Sequence, residues 1–360
     1  MKMVIATGGT GGHIYPAIAL ADAAKKRYAD FDVLFVGNDD RMETTEVPSH
    51  GYRFYGIHAS GLTGNVVNKL KALKNLVVCY HQAKIILKKE QPDIVIGFGG
   101  YVSAPVILAA HALGIQTMIH EQNSMVGAAN HLLAKRVDKI VVCYEKAMDE
   151  MPKNKTRLLG NPRASLARLM PFNETYFTSL NLSLDKKTIL IVMGSLGSSS
   201  MNKIMVEACK KIPSEYQVLY VCGKNNKVDL KNQFNENIVV VDYVNQLEIL
   251  SHIDLIICRA GATTLAEITS LGIAAILIPS PYVAHNHQFF NASVLKNHHA
   301  ALLVEEKDCN AEQLEKSIHE IMDDECKLET MKAASKELGF PSAASDILDW
   351  IDEKVKKNER

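Results

Sequence analysis

The sequence contains no apolar run long enough to cross a membrane. Its longest runs, such as Pro105–Leu113, fall far short of the roughly 20 residues that a membrane-spanning helix needs. No cleavable secretion signal follows Met1, so we expect the 360-residue chain to stay in the cytoplasm. Its seven cysteines form no C-x-x-C pair, which favours reduced and mostly buried thiols.

The chain also lacks a dense tract of lysine and arginine interleaved with aromatic residues, so nucleic acid is a poor candidate partner. Its formal net charge of zero hides an asymmetry between the two halves. Residues 1–160 carry 19 Lys and Arg against 14 Asp and Glu, whereas residues 161–360 carry 21 against 26. The basic first half is therefore expected to meet an anionic partner.

Short β-branched runs alternate with helical stretches, which is typical of parallel sheets covered by helices on both faces. Two series of such runs flank a break at Leu159–Asn181, so the sequence predicts two doubly wound, Rossmann-like α/β domains. The predicted strands are Met3–Thr7, Val33–Val36, Ile94–Gly97, Thr117–His120, Ile140–Val142, Thr188–Met193, Gln217–Val221, Ile238–Val241, Leu255–Cys258, Ala275–Pro279 and Ala301–Val304.

The first predicted strand is followed directly by four glycines in the loop Gly8–His13. Backbone N–H groups in such a loop can approach an anion closely, and a helix predicted to begin near Pro16 would point its positive end the same way. The dinucleotide-binding fingerprint fails, because Ile14 occupies the position of its third glycine. The sequence thus predicts an anion site of another kind, with a structural tight turn as the alternative.

Two further glycine-rich loops follow predicted strands. One is Gly97–Ser103; the other is Gly194–Ser199, in which Ser195 is the side chain best placed for a phosphate. Ligands of open parallel sheets bind beyond the carboxyl ends of the strands, so these loops are expected to line ligand sites. The alternatives are a tight turn for the first and a helix cap for the second.

The segment Cys258–Ile268 combines hydroxyls and a carboxylate. Glu267 lies one helical turn after Thr263 and Thr264, so it could accept both hydroxyls of a ribose, while amides near Ala262 hold a phosphate. A capped surface helix is the alternative. Farther along, Pro279–Ala292 offers amide and imidazole groups suited to sugar hydroxyls, or else a solvated helix start.

Together these segments resemble the MurG family, the UDP-N-acetylglucosamine:N-acetylmuramyl-(pentapeptide) pyrophosphoryl-undecaprenol N-acetylglucosaminyltransferases of bacterial peptidoglycan synthesis. The resemblance runs over nearly the entire chain, in order. The motifs that carry it are TGGTGGH, GFGGYVSAP, HEQNS (His120–Ser124), GNPR (Gly160–Arg163), GSLGSSS, CRAGATTLAE and HNHQFFNA. The resemblance implies a GT-B-type fold, with two Rossmann-like domains facing across a cleft.

The same resemblance implies an inverting transfer of N-acetylglucosamine (GlcNAc) from UDP-GlcNAc to the C4 hydroxyl of a lipid-linked N-acetylmuramyl-pentapeptide, converting lipid I to lipid II. Residues 1–160 would bind the acceptor and an anionic membrane surface, and residues 161–340 would bind UDP-GlcNAc. Residues 341–360 would form a helix that crosses back to the first domain. The protein would be peripheral, at the cytoplasmic face of the cell membrane.

The resemblance also assigns residues to the two substrates. The residues expected to contact the donor are Thr10, Gly11, Gly12, Asn123, Arg163, Ser195, Val244, Ala262, Thr263, Thr264, Glu267, His287 and Gln288. The residues expected at the acceptor diphosphate are Gly9, Gly99, Gly100, Tyr101 and Ser103. One departure is that many members read GNPVR, so Arg163 sits one position early and its contact with the donor stays open.

An inverting transfer needs a base for the acceptor hydroxyl and stabilisation of the departing UDP. His13 is the first candidate base, because it ends the first glycine loop and titrates near neutrality. Its alternative role is a hydrogen bond to a phosphate. Glu121 is the second candidate base, with a structural hydrogen-bonding role as its alternative.

No metal or other cofactor is expected. Amides and helix dipoles would hold the leaving diphosphate, and the D-x-D pattern at Asp30–Asp32 precedes a predicted strand, at the wrong end of the sheet. No carboxylate or cysteine completes a ligand set for the histidines, which are His285, His287, His298 and His299.

The stretch Leu62–Lys89 has six lysines and no acidic residue, with apolar residues between them at partly helical spacing. Such a basic amphipathic helix can lie on an anionic bilayer, each lysine contributing on the order of 1 kcal/mol. The residues expected at the membrane are Lys69, Leu70, Leu73, Lys74, Leu76, Val77 and Tyr80. A core-packed helix with a solvated basic face is the alternative, although the resemblance favours the membrane.

Three other functions stay open from the sequence. A glycosyltransferase with another acceptor is disfavoured by GFGGYVSAP and HEQNS. A UDP-GlcNAc 2-epimerase of the same architecture is expected to carry more acid–base carboxylates and needs no lipid-facing helix. A non-enzymatic nucleotide-sugar binder would not need the acceptor-side glycine loop.

Overall fold

The structure is a computed structural model that describes residues 1–60, 66–194, 198–223 and 235–353, except for the side chains of residues 66–73 and 199. It divides into two compact units. The first unit comprises Met1–Ser165 together with Ser342–Arg360, and the second comprises Leu166–Pro341.

The first unit is a seven-stranded sheet flanked by helices. Its strands are β1 (Lys2–Ala6), β2 (Asp32–Asn38), β3 (Arg53–Ile57), β4 (Ile94–Gly97), β5 (Gln116–Glu121), β6 (Lys139–Val142) and β7 (Thr156–Leu158). Its helices are α1 (Gly11–Arg27), α2 (Glu43–Ser49), α3 (Val66–Glu90), α4 (Ser103–Ala112), α5 (Ala128–Leu133), α6 (Glu145–Asp149) and the C-terminal α14 (Ala343–Asp352). All strand pairs are parallel, in the order β3-β2-β1-β4-β5-β6-β7.

The second unit is a six-stranded parallel sheet. Its strands are β8 (Thr188–Val192), β9 (Gln217–Val221), β10 (Ile238–Val241), β11 (Leu255–Cys258), β12 (Ala274–Leu277) and β13 (Ala301–Leu303), in the order β10-β9-β8-β11-β12-β13. Its helices are α8 (Glu174–Ser179), α9 (Ser199–Cys209), α10 (Ala262–Leu271), α11 (His287–Asn297), α12 (Ala311–Met322) and α13 (Glu325–Glu337). The chain passes from the first unit to the second within helix α7 (Pro162–Leu169).

All eleven predicted strands are present. The two strands that the sequence pattern missed, β3 and β7, lie at the edges of the first sheet, where part of each strand is solvent-exposed and no continuous apolar run is needed. The predicted break at Leu159–Asn181 is not irregular, because it contains the short helices α7 and α8.

Successive residues of each central strand point into different cores. Val4 and Ala6 of β1 belong to the core beneath α3 and α4, whereas Met3 and Ile5 belong to the core beneath α1. This alternation explains why the strands are apolar on both faces.

The C-terminal helix α14 packs in the first unit beside α1. Its Trp350 and Ile351 are buried in the same core as Met3 and Ile5. Arg27 of α1 donates to Asp349 at 2.6 Å, and the buried ammonium of Lys139 donates to carbonyls at the end of α14. A cation at the C-terminus of a helix is favourable, because unpaired carbonyls are concentrated there.

Candidate active site

Each sheet reverses its strand order at one place, between β1 and β4 in the first unit and between β8 and β11 in the second. A crevice outside the carboxyl ends of the strands at such a reversal is where open α/β sheets bind ligands. The loops that follow these four strands are the glycine-rich and polar loops that the sequence singled out. The strand order therefore places two of these loops side by side in each unit.

Helix α1 begins at Gly11, not near Pro16 as predicted. Pro16 is buried inside the helix, where its missing N–H removes only one backbone hydrogen bond. Thr10 is the N-cap, so the amides of Gly11 and Gly12 lie in the first turn and have no acceptor within the helix. Both glycines are partly exposed and Thr10 is exposed, which leaves this turn accessible to an anion.

The amide of Gly9 is already engaged within the fold. The side chain of Glu43, at the start of α2, is fully buried, and its two oxygens lie 3.3 and 3.2 Å from Gly9 N. One of these oxygens also accepts from Asn38 N at 3.0 Å. The expected contact of Gly9 with a diphosphate would therefore compete with this carboxylate.

The second glycine loop packs directly on the first. Gly99 and Gly100 have φ of +104° and +80°, which residues with a side chain rarely adopt. A Cβ at Gly100 would lie 2.4 Å from the carbonyl oxygen of Gly8, so the two backbones touch here. Tyr101, at the tip of this loop, is 50% exposed.

Ser103 faces inward. Its buried hydroxyl accepts from Gly99 N at 3.1 Å and lies 2.6 Å from Gly99 O and 3.0 Å from Ala6 O. A hydroxyl committed in this way shapes the loop. A direct bond from Ser103 to a diphosphate would require this arrangement to break.

The imidazole of His13 lies at the junction of three loops. Its Nδ1 is 3.2 Å from Oε1 of Gln122, which directly follows β5. A Cβ at Gly99 would lie only 2.7 Å from the same ring, so the second glycine loop contacts it as well. The sequence pattern identified His13 but missed Gln122.

Glu121 is buried and accepts four hydrogen bonds. Its Oε1 accepts from the backbone and side-chain nitrogens of Asn123, at 3.1 and 3.3 Å. Its Oε2 accepts from Gly127 N at 2.9 Å and from Asn130 Nδ2 at 2.8 Å. The carboxylate thus holds the turn between β5 and α5, which is the structural role considered for it, and positions the partly exposed Asn123.

His120, one residue earlier, is buried and stacked on Phe98 with ring centroids 4.9 Å apart. Its Nε2 donates to Gly160 O at 3.0 Å. Burial lowers the pKa of His120 to about 4, so the ring is neutral at physiological pH.

Arg163 lies close to the first glycine loop despite its displaced position in the GNPR motif. Its guanidinium carbon is 5.6 Å from the ring centroid of Tyr15, two residues after His13. Its backbone N donates to Asn161 Oδ1 at 3.0 Å, at the start of α7.

In the second unit, Ser195 falls outside the described residues, whereas Ser198 and Ser200 at the start of α9 lie within them. Arg259, directly after β11, donates to Oγ of the N-cap residue Ser198 at 3.1 Å. Arg259 also pairs with Glu306 at 2.7 Å, and Glu306 accepts from Ser200 Oγ at 2.9 Å. Arg259 was not among the predicted site residues, although it lies within the CRAGATTLAE motif.

Helix α10 begins at Ala262, with Gly261 as its N-cap, so its first amides lie beside β11. Thr263 and Thr264 are partly exposed, and Glu267 is 5% exposed. Glu267 lies close enough to Cys258 for its charge to add to burial in raising the pKa of that thiol to about 12.

Val244, His287 and Gln288 make their contacts within the second unit. The Val244 side chain is buried in the apolar core of the second unit, so only its backbone could meet a uridine. Oε1 of Gln288 accepts from Ser280 N at 2.9 Å, and Nδ1 of His287 donates to Ala284 O at 2.8 Å. Both side chains are partly exposed in the first turn of α11.

Helix α3 exposes an apolar stripe that differs from the predicted one. Val77, Val78 and Ile85 are 51%, 46% and 69% exposed, whereas Leu76 and Tyr80 are partly buried. Exposed lysines flank the stripe at Lys74, Lys88 and Lys89. The predicted membrane residues Lys69, Leu70 and Leu73 lie outside the described side chains. Among the described residues, no helix has the length and apolar character to span a bilayer.

Metal-ligating groups are sparse in the described part of the chain. One cluster there could supply three ligands, formed by Asp39, Asp40 and His58, and all three residues are exposed. Nδ1 of His58 lies 2.9 Å from Asp39 Oδ1, so the histidine is already paired.

Comparison with known proteins agrees with this architecture. Residues 3–142 match the N-terminal domain of glycosyltransferase family 28, and residues 188–347 match its C-terminal domain. The chain is 41% identical, over 99% of its length and 100% of the relative, to the UDP-N-acetylglucosamine--N-acetylmuramyl-(pentapeptide) pyrophosphoryl-undecaprenol N-acetylglucosamine transferase of Halalkalibacterium halodurans.

Solved structures with the same fold include a member of the MurG family. The crystal structure of Acinetobacter baumannii MurG matches with a TM-score of 0.80 at 27% identity, covering 98% of this chain and 99% of that one. A putative UDP-N-acetylglucosamine 2-epimerase from Listeria monocytogenes matches with a TM-score of 0.72 but only 15% identity, covering 100% and 98%, which shows a shared fold alone. The chain therefore has a GT-B-type fold and belongs to glycosyltransferase family 28 and, within it, to the MurG family.

Proposed function

We propose that this protein transfers GlcNAc from UDP-GlcNAc to the C4 hydroxyl of undecaprenyl-diphosphate-linked N-acetylmuramyl-pentapeptide, converting lipid I to lipid II. The observation that carries the proposal is the packing of two glycine loops and the imidazole of His13 at the strand-order reversal of the first sheet. A protein that only bound a nucleotide sugar would need one such site, in the second unit. Family membership and the 41% identical relative support the same activity.

The first unit binds the acceptor in this proposal. The diphosphate of the acceptor lies against the amides at the start of α1 and the loop around Gly100 and Tyr101, where backbone N–H groups and the helix dipole favour an anion. A helix N-terminus contributes roughly 0.3–1 kcal/mol per charge, and up to about 2 kcal/mol when partly buried. The buried carboxylate of Glu43 orders the first glycine loop by accepting from Gly9 N.

His13 is the base in the proposed mechanism. Its imidazole takes the proton of the acceptor C4 hydroxyl, whose oxygen forms a bond to C1 of GlcNAc. The bond from C1 to the UDP oxygen breaks, and UDP leaves with the electron pair, which inverts the anomeric centre. Glu121 is not the base here, because four donors already occupy its carboxylate.

The second unit binds the donor. Glu267 accepts the ribose hydroxyls beside Thr263 and Thr264, and the starts of α9 and α10 meet the diphosphate. Arg259 orients the start of α9 through Ser198. Gln288 and His287 meet the donor sugar in this proposal, and Thr10, Gly11, Gly12, Asn123 and Arg163 are kept as further proposed donor contacts.

The proposal places the working enzyme on the cytoplasmic face of the membrane, where its lipid acceptor is held. The apolar stripe of α3 and its flanking lysines fit a peripheral attachment to an anionic surface. Amides and helix dipoles at the starts of α9 and α10 carry the charge of the leaving diphosphate in this proposal, so no metal is required.

Transfer of labelled GlcNAc from UDP-GlcNAc to the lipid-linked acceptor, measured with EDTA present, tests the proposal. We expect transfer to survive the chelator and His13→Asn to lower kcat about 100- to 10,000-fold, the usual contribution of a general base. His298→Asn is the matched control, since that exposed ring donates to Val294 O at the C-terminal end of α11. Consumption or epimerisation of UDP-GlcNAc without transfer would contradict the proposal.

A further inference from the structure

The side chain of Gln122 links the second glycine loop to His13. It is 1% exposed and directly follows β5. Its Nε2 donates to the carbonyl oxygen of Phe98 at 2.8 Å, and its Oε1 lies 3.2 Å from Nδ1 of His13. The proposed mechanism assigns it no role.

These two contacts determine which nitrogen of His13 carries the proton. The Phe98 carbonyl can only accept, so the NH2 group of Gln122 faces it and Oε1 faces the imidazole. That oxygen is also an acceptor only, so Nδ1 of His13 is the donor. Because a neutral imidazole has a single N–H, the lone pair is on Nε2.

The contacts of Gln122 are held in place by the surrounding backbone. Phe98 N donates to Ala6 O at 2.8 Å, and the Phe98 ring stacks on His120. Gly99 comes so close to the imidazole that a Cβ there would lie 2.7 Å from Nδ1 of His13. Turning over the amide would break its hydrogen bond to the Phe98 carbonyl, and turning over the ring would break the hydrogen bond between Nδ1 of His13 and Oε1 of Gln122.

We propose that Gln122 is a positioning residue for His13, holding Nδ1 protonated so that Nε2 is the atom that takes the proton of the acceptor hydroxyl. This inference rests on the proposed function, in which that proton leaves as the oxygen bonds to C1 and UDP departs. Gln122 neither gains nor loses a proton in the step. Its neutral amide selects the tautomer without adding a charge.

The tautomer is measured on the full-length protein with 15N-labelled histidine, by long-range 1H–15N correlation spectra, using His13→Asn to assign the His13 signals. We expect the neutral ring of the wild type to carry its proton on Nδ1. A neutral ring protonated on Nε2 would overturn the inference, whatever the transfer assay shows.

Gln122→Met removes both hydrogen bonds at similar volume. A histidine locked in the wrong tautomer costs a serine protease about 10,000-fold in kcat; here the ring becomes free to sample both tautomers, so we expect a loss of about 10- to 100-fold. KM for UDP-GlcNAc should change less than about 2-fold, since a group that acts only in the transition state does not alter ground-state binding. The spectra should show the proton shifting toward Nε2.

Ser103→Ala is the control, because it disturbs the same loop at Gly99 without touching Gln122. The tautomer should be unchanged in it. Gln122→Met with the wild-type tautomer or wild-type kcat would refute the inference, and if this variant fails to fold, the wild-type spectrum still decides. Transfer by an enzyme with the Nε2–H tautomer refutes this inference alone, whereas an Nδ1–H tautomer without transfer refutes the proposed function.

Discussion

Both carboxylate oxygens of Glu43 lie within 3.3 Å of the backbone nitrogen of Gly9, so this buried side chain holds the first glycine loop in place. A Cβ added at Gly8 would lie 2.3 Å from one of these oxygens, and a Cβ at Gly37 would lie 2.7 Å from Glu43 Cγ. Glycine is therefore required at both positions, because any larger residue would overlap the Glu43 side chain. Glu43 thus gives the loop its shape while Gly11 and Gly12 remain available to a ligand.

This contact predicts a coupling between Gly8 and Glu43. Gly8→Ala should destabilise the protein by about 1–3 kcal/mol through overpacking. Glu43→Ala should cost about 1–3 kcal/mol by leaving the amides of Gly9 and Asn38 unpaired. The double variant should lose less than the sum of the two, because the new methyl group then has room. Chemical unfolding measures all three, and strictly additive losses would contradict the contact.

Glu267 should govern affinity for the donor nucleotide. Glu267→Gln is expected to raise KM for UDP-GlcNAc by about 10- to 100-fold, since hydrogen bonds to a charged group contribute about 1.5–3 kcal/mol. Steady-state kinetics with varied UDP-GlcNAc and UDP inhibition measure it. Glu329→Gln is the control, since that exposed residue pairs with Lys332 on α13. An unchanged KM in Glu267→Gln would remove Glu267 from the donor site.

The buried His120 should make stability depend on pH. Its pKa is about 4 when folded against an ordinary value of 6.5, so between these values only the unfolded chain binds the proton. The free energy of unfolding should therefore fall as pH is lowered from 6.5 to 4, by on the order of 3 kcal/mol in total. Its full contribution is present above pH 6.5.

His120→Gln is the comparison, because glutamine keeps an N–H donor for the carbonyl of Gly160 but does not titrate. Urea unfolding from pH 7 to pH 4.5 should show a shallower decline in the variant. Identical slopes in both proteins would mean that burial does not lower the pKa of His120.

The exposed stripe of α3 should bind anionic lipid. Ile85→Glu and Val78→Glu are each expected to reduce sedimentation with phosphatidylglycerol vesicles by about 10-fold, because a charge at the apolar surface opposes insertion of the stripe. High salt should weaken binding of the wild type as well. Leu169→Glu is the matched control, since Leu169 is 74% exposed in α7. Equal losses in all three variants would show that α3 is not the attachment surface.

The strands and glycine loops were predictable from the sequence because their signals are local. A strand apolar on both faces, such as Ile94–Gly97, is recognisable within a few residues, and a glycine loop that follows it lies at the carboxyl end of the sheet by necessity. The helix start near Pro16 was wrong: proline is common at the first position of a helix, but Pro16 lies inside α1, which begins at Gly11. The edge strands were missed because their exposed faces interrupt the apolar pattern.

By itself, then, the sequence determined the two doubly wound sheets, the positions of their glycine loops and the candidate base His13. Only the tertiary structure decided what surrounds that base. Glu43 lies 34 positions from Gly9, and Gln122 lies 109 positions from His13. These pairs meet only because β2 and β4 pair with β1, and β5 pairs with β4, which brings distant loops to one edge of the sheet. Spacing along the chain carries no signal for such contacts, since the pairing of strands sets them.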